Sequence, residues 1–213
     1  MKLVFNTKEK WLQFRQDKIT ATRVSAILGK SRYLKSSDVY EILVGVKEDK
    51  VEENERMKKG SLAEEHIRQL FLIRHLGKYE LVPKKKNEYV FFVDDTYSFI
   101  GASCDGEVID LETGEEGILE IKFFDGLAHK NEFTQENISE ECYIQCVHEL
   151  SASKKKFLVF IVALNYEDTM VLREYKIYKK DVQEDIDYVV KEVVDFYNKY
   201  VVTGKKPPLK IDI

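Results

Sequence analysis

Residues 117–124 read GILEIKFF, an apolar run carrying a Glu and a Lys two positions apart. Successive side chains of a strand point to opposite faces, so Glu120 and Lys122 share one face while Leu119, Ile121 and Phe123 share the other. Two opposite charges therefore project together from a strand whose other face is apolar. The plainer reading is a solvated face with an ion pair worth about 0–1 kcal/mol. The surrounding segments decide between that and a site.

From residue 88 to 124 the pattern is one of strands: EYVFFV, a DDT turn, YSFIGAS, GEVIDL, and a GEEG turn into ILEIKFF. This predicts a meander of three or four strands. Helical patterns flank it. The first helix begins near Thr7, with Trp11 and Phe14 facing inward and Arg15 one turn beyond Trp11. A second begins at Thr20 or Thr22, both good N-caps, and stops at Gly29; a third begins at Ser36 or Ser37. Residues 61–76, SLAEEHIRQLFLIRHL, form a longer helix ended by Gly77, with Leu62, Ala63, Ile67, Leu70, Phe71 and Ile73 on one broad face. Glu64 falls at the margin of that face, and Glu65 on the polar side. A helix over 139–152, a hairpin of FLVFIVALN and TMVLREYKIY, and a long helix over 180–202 complete the chain. The aromatic end of the last helix, Phe196, Tyr197 and Tyr200, serves core packing in preference to an interface. The order predicts an α/β fold with a central mixed sheet flanked by helices.

The chain has 213 residues, 44% apolar and 34% charged, with no Pro/Gly/Ser-rich linker, so a single domain over 1–213 is expected. It divides into an N-terminal helical part (1–60), a core (61–178) and a C-terminal helix and tail (179–213). The start, MKLVFNTKEK, lacks the apolar run of a signal peptide, and no stretch approaches the roughly 20 apolar residues of a membrane span. A soluble, cytoplasmic protein without a membrane partner is expected. Cys104, Cys142 and Cys146 form no even framework and no CxxC pair, which argues against disulfides and structural zinc. Cys142 and Cys146, one helical turn apart, read as a small apolar stripe. The net charge of −4 excludes a protein that coats nucleic acid through bulk charge but leaves room for a local basic groove. The lysine runs at 84–86, 154–156 and 205–206 are either phosphate contacts or solvated loops.

Asp105 stands 15 residues before Glu120, at the end of YSFIGASCDG. A hairpin between them returns the chain and sets Asp105 beside Glu120 at the sheet edge. Two close carboxylates are costly unless a cation lies between them, and hard oxygen ligands suit Mg²⁺. Lys122, one strand step on, then neutralises a developing oxyanion or holds an attacking water. Glu64 can add a third carboxylate from its helix. The spacing D-x14-E-x-K by itself is common in charged chains.

Together, Asp105, Glu120-Ile121-Lys122 and the Glu64 of GSLAE resemble the catalytic pattern of the PD-(D/E)xK nuclease superfamily, whose restriction-endonuclease-like core is a mixed sheet between helices. More narrowly, the chain resembles the YqaJ-type viral recombinases, relatives of phage lambda exonuclease. Trp11, Arg15 and the ITAT of residues 19–22 are similar to that family's W-x3-R…ITAS, and RVSAILG, MKKGSLAEE, SCDG, LEIK and YIQCVHEL follow in order over residues 11–150. Two positions depart from the pattern: Cys104 stands where a proline precedes the Asp, and Val147 where Q-x-Q has its second glutamine.

The resemblance implies that Asp105, Glu120 and the backbone carbonyl of Ile121 hold Mg²⁺, with Mn²⁺ as a substitute. It makes Lys122 the water-positioning base or charge stabiliser, has Glu64 complete the site, and has Gln145 supply the family's glutamine. Arg15, Thr20 and Thr22 would grip a 5′-terminal phosphate, for which an Arg and a helix start are suited, and Ser103 would lie near the scissile strand. The plainer alternatives are a surface Arg15, an N-capping Thr22, an exposed Gln145 and an ordinary strand Ser103. The implied activity is 5′→3′ exonuclease action on double-stranded DNA ends, leaving 3′ single strands for an annealing protein, by a homotrimer in a bacterial host with a phage or prophage origin. An endonuclease or nickase of the same superfamily and a catalytically silent DNA-binding subunit are the rivals. Related nucleases with an iron–sulfur cluster carry a cysteine set that this chain lacks.

Overall fold

The computed structural model describes residues 1–49, 55–85, 87–126, 129, 131–166 and 169–208. Lys86 of the first lysine run and the end of the tail, 209–213, lie outside them. In chain order the elements are β1 (Lys2–Phe5), α1 (Lys8–Arg15), α2 (Ala21–Ile27), α3 (Ser36–Leu43), α4 (Glu55–Arg74), β2 (Tyr79–Leu81), β3 (Tyr89–Val93), β4 (Gly101–Ala102), β5 (Gly106–Asp110), β6 (Glu116–Asp125), α5 (Glu140–Ser153), β7 (Phe157–Tyr166), β8 (Thr169–Tyr178) and α6 (Gln183–Phe196). A 3₁₀ turn, Lys179–Val182, leads into α6, and a π-helical turn, Tyr197–Val202, follows it.

Five strands form the central mixed sheet in the order β2-β5-β6-β7-β8. Only β6 and β7 run parallel. A parallel pair needs a crossover rather than a tight turn, and α5 provides it. The first eight residues of β7, FLVFIVAL, are all buried, as a strand covered on both faces requires. Gly117 opens β6 opposite Phe157, and a Cβ there would come within 2.4 Å of the Phe157 ring. Only a glycine lets the two strands close at that point.

The alternation read in GILEIKFF holds. Leu119 and Ile121 join Val159, Ile161, Ile67, Phe71 and Tyr79 in a core beneath α4. The opposite face meets α2, α5 and α6, where Ile118, Phe160 and Val162 pack with Val24, Cys146, Leu150, Val189 and Val193. Each fully buried side chain of this size contributes about 1.5–3 kcal/mol. Phe196 is buried in the same core, and Tyr197 stacks on Phe99 with ring centroids 3.8 Å apart, so the aromatic end of the last helix packs inward.

The single meander does not form. β3 and β4 belong to a separate three-stranded sheet, ordered β1-β3-β4, while β5 and β6 belong to the central one. The segment YSFIGAS contributes just Gly101 and Ala102 as strand because Ile19 takes up the backbone beside it. The Ile19 N–H donates to Phe99 O at 2.6 Å, and the Gly101 N–H donates to Ile19 O at 3.1 Å. His148 of α5 lies beneath this junction, its Nε2 3.1 Å from both the Ile19 and Gly101 carbonyls. Burial lowers the His148 pKa to about 4 against the pull of those carbonyls, so the neutral ring donates there. The short strands β1 and β2 have no counterpart in the sequence reading, and α4 starts six residues earlier than residue 61. Among the described residues, no helix is long and apolar enough to cross a membrane.

Candidate active site

The β5–β6 hairpin builds the first half of the site. Its register runs Ile109↔Glu116 to Gly106↔Leu119, so one further step sets Asp105 opposite Glu120. Asp105 is held there twice. Its N–H donates to Leu119 O at 3.0 Å, and its Oδ2 accepts the Ile121 N–H at 2.7 Å. The N–H and C=O of one strand residue lie on the same edge, so the Ile121 carbonyl opens onto the same gap ahead of the start of β5. Lys122 Nζ donates to Glu120 Oε1 at 2.5 Å.

Helix α4 adds Glu64, whose side chain is 34% exposed against 60% for Glu65. Of the face expected to point inward, Ile67 and Phe71 are buried but Leu62 and Ile73 are exposed, because the sheet covers a narrower stripe of the helix. Glu64 Oε1 accepts from Arg68 Nη2 at 2.5 Å, and the same nitrogen donates to the Asp105 carbonyl at 2.9 Å. Arg68 thereby ties α4 to the start of β5. Helix α5, N-capped by Ser139, brings Gln145 and, one turn later, Glu149.

These side chains line one cavity of about 430 Å³. Arg15, Thr20, Thr22, Glu64, Ser103, Asp105, Glu120, Lys122 and Gln145, nine of the side chains singled out from the sequence, all face it. Gln145 is 7% exposed, which removes the reading of an ordinary surface glutamine. Trp11 donates from Nε1 to Ser103 Oγ at 3.1 Å, and the Arg15 guanidinium lies 4.9 Å above the Trp11 ring. Arg15 is therefore no free surface charge. Burial lowers its pKa, with Asp49 opposing.

Thr20 is the N-cap residue of α2 but makes no capping hydrogen bond through its side chain. Its hydroxyl lies 3.4 Å from that of Thr22, so neither threonine acts as the predicted side-chain cap. Arg23, 1% exposed, closes the preceding turn. Its Nη1 donates to the carbonyls of Arg15, Gln16 and Lys18, and its Nη2 to Asp49 at 2.7 Å. Carbonyls at and after the end of α1, of which Arg15 O also accepts the Lys18 N–H at 3.2 Å, are thus capped by a side chain from α2.

The electrostatics follow from crowding acids in a buried place. Burial, then the Asp105 carboxylate, push the Glu120 pKa up to about 8 despite Lys122. Burial and Asp105 raise Glu64 as well, and burial and Glu120 raise Glu149 well above the carboxylate range. Burial disfavours the Lys122 ammonium, but Glu120 and Asp105 outweigh it and raise its pKa. Among the described residues, no three His, Cys, Asp or Glu side chains stand arranged as a metal cage. The carboxylates are instead tied to protein donors: Glu64 to Arg68, Glu120 to Lys122 and Asp105 to Ile121. The donor set nevertheless fits a hard cation. It is all oxygen, burial and neighbouring carboxylates raise the proton affinity of Glu64, Glu120 and Glu149, and buried acceptors of Gln145 and Glu149 lack partners among the described residues.

Among the described residues of the lysine runs, Lys84 alone faces the cavity. Lys154 pairs with Asp95, Lys155 with Glu107 and Glu116, and Lys206 with Glu41. Glu149, Lys8 and Tyr89 also line the cavity and were not singled out from the sequence. The helical spacing of four from Gln145 was the available signal for Glu149; Lys8 and Tyr89 carry none.

A family model described as the YqaJ-like viral recombinase domain matches residues 10–156. No curated protein sequence matches the chain. Among solved structures, the alkaline exonuclease LHK-Exo from Laribacter hongkongensis superposes with a TM-score of 0.70 at 22% identity, covering 90% of this chain and 92% of that one. The complex of LHK-Exo with dAMP gives a TM-score of 0.64 at 18% identity, over 90% and 94%. The matched span takes in most of the chain, and the chain belongs to the YqaJ-like viral recombinase domain family, with a fold it shares with an alkaline exonuclease.

Proposed function

We propose that this chain is a divalent-metal-dependent deoxyribonuclease that degrades double-stranded DNA from its ends in the 5′→3′ direction. The observation that carries the reading is the Asp105–Glu120 pair, two carboxylates facing each other across the end of a hairpin with Lys122 one step along the same face. The name of the structural neighbour, an alkaline exonuclease, supports it. So does that neighbour's complex with dAMP, because a deoxynucleoside monophosphate is what an exonuclease releases.

Asp105, Glu120 and the Ile121 carbonyl would hold Mg²⁺, or Mn²⁺ in its place, with Glu64 completing the site. The ion supplies charge neutralisation at the phosphoryl oxygens and lowers the pKa of an attacking water. Lys122 keeps its proton, because Glu120 and Asp105 favour the ammonium. Its part is to hold the water and offset charge developing on phosphorus, not to take a proton. Arg15 offers a planar pair of donors to a 5′-terminal phosphate, joined by the Thr20 and Thr22 hydroxyls. Ser103, held by Trp11, contacts the strand beside the scissile bond.

The 3′ single strand left behind would pass to an annealing protein in the cytoplasm of a bacterial host. With a net charge of −4 the chain has little general attraction for DNA, and a homotrimeric ring would keep it on the duplex. Light scattering at three times the 25.0 kDa chain mass would support the ring, and a stable monomer would remove it.

The test is digestion of linear duplex DNA labelled at its 5′ ends, with and without Mg²⁺, beside a closed circle. Release of labelled mononucleotides from the linear substrate alone, dependent on metal, is expected. Cutting of the circle would mean an endonuclease or nickase, and binding without cleavage a silent subunit.

A further inference from the structure

Helix α5 turns two acceptors toward the carboxylate pair. Gln145 and Glu149 lie one helical turn apart, both line the cavity, and they are 7% and 2% exposed. Gln145 Oε1 and Glu149 Oε2 have no hydrogen-bond partner among the described residues. A buried acceptor without a donor costs free energy, and a buried carboxylate costs more. The charged groups that act on Glu149 are Glu120, Lys122 and Asp105. Lys122 is the cation among them, and its ammonium donates to Glu120 Oε1. The neighbouring thiols of Cys104 and Cys146 are weak donors. A DNA phosphate brings only further acceptors and would deepen the shortage. A hard divalent cation with its bound waters supplies what both oxygens lack.

We propose that Glu149 is a further oxygen ligand of the divalent metal centre, reaching it from α5 together with Gln145; the proposal rests on the metal-dependent reading above. It assigns this helix a coordinating role at a position four residues past the glutamine.

The experiment is calorimetric titration of Mn²⁺ into the full chain without DNA, for the wild type, Glu149→Gln and Asp105→Asn, with thermal melts of each in the absence and presence of the ion. Glu149→Gln is expected to melt cooperatively without metal and to bind Mn²⁺ about 10- to 100-fold more weakly. The rise in melting temperature on adding Mn²⁺ should shrink in step. If Glu149→Gln does not fold, Glu149→Asp, which keeps the charge and shortens its reach, should weaken binding by about tenfold or more. Wild-type affinity in a folded Glu149 variant overturns the proposal. When Asp105→Asn weakens binding and the Glu149 variant does not, only Glu149 is removed from the centre. No Mn²⁺ binding by the wild type, or wild-type affinity in Asp105→Asn, removes the metal-dependent reading and Glu149 with it.

Discussion

The Asp105 carboxylate accepts the backbone N–H of Ile121 at 2.7 Å, taking the place of a strand partner just before β5 begins. One acidic side chain thus closes the sheet edge and fixes its second oxygen beside Glu120. The two roles separate by mutation. Asp105→Asn keeps an acceptor for Ile121 and should melt near the wild type, yet lose hydrolysis by about a hundredfold or more. Asp105→Ala should lose the same activity and also about 1–3 kcal/mol of stability. Initial rates on linear duplex and urea melts of both variants check this.

Removing Lys122 leaves the Glu120 carboxylate buried beside Asp105 without its ion-pair partner. Lys122→Ala should abolish hydrolysis and destabilise the metal-free protein more at alkaline pH, where Glu120 ionises, than near neutrality, where burial and Asp105 let Glu120 take up a proton. The double variant Glu120→Gln/Lys122→Met should recover much of that stability and none of the activity. A double variant no more stable than Lys122→Ala would show that the pair does not dominate the local energetics.

Adjacent glutamates of α4 should behave differently. Glu64→Ala is expected to lose most hydrolysis, whereas Glu65, 60% exposed at its side chain, should change activity and stability little when replaced by Ala. Stability changes for Glu65→Ala should stay within about 0.5 kcal/mol. Equal activity losses in the two variants would contradict the inward direction of Glu64.

Arg15 and Arg23 separate anion recognition from architecture. Arg15→Ala should lose most preference for a 5′-phosphate over a 5′-hydroxyl end and retain metal-dependent cleavage. Arg23→Ala uncaps the carbonyls of Arg15, Gln16 and Lys18 and leaves Asp49 without its partner, so a loss of about 3–5 kcal/mol is expected. Competition between phosphorylated and dephosphorylated ends tests the first, and thermal melting the second.

Asp110 gives the pH dependence. Its Oδ2 accepts from Lys176 Nζ at 2.8 Å, and its Oδ1 accepts the N–H groups of Glu112 and Thr113. The Lys176 hydrogen bond, above all, holds its pKa below the ordinary value of 3.8. The native state therefore binds a proton less readily than the unfolded chain. This contribution is fully present above about pH 4 and is lost as pH falls through the native pKa. Asp110→Asn should cost about 1–3 kcal/mol near neutrality. The difference from the wild type should close at lower pH, as melts between pH 7 and 2 would record.

The sequence by itself determined the alternation of GILEIKFF, the hairpin that returns Asp105 to Glu120, the inward Glu64 and the helix carrying Gln145. Each is a short-range property: a period of two or 3.6, a turn, and a fixed number of residues between them. Tertiary structure decided what depends on distant segments meeting. Ile19 takes the backbone of Phe99 and Gly101, and so divides the expected meander between two sheets. Trp11 reaches Ser103 and Arg68 reaches Asp105, contacts that no local pattern encodes. Thr20 and Thr22 are good N-caps by residue type, yet the cavity wall turns their hydroxyls toward each other. Glu149 had the right spacing from Gln145, but a glutamate on a helix is ordinarily solvated. Its significance comes from the burial and unpartnered oxygen that the packed core imposes.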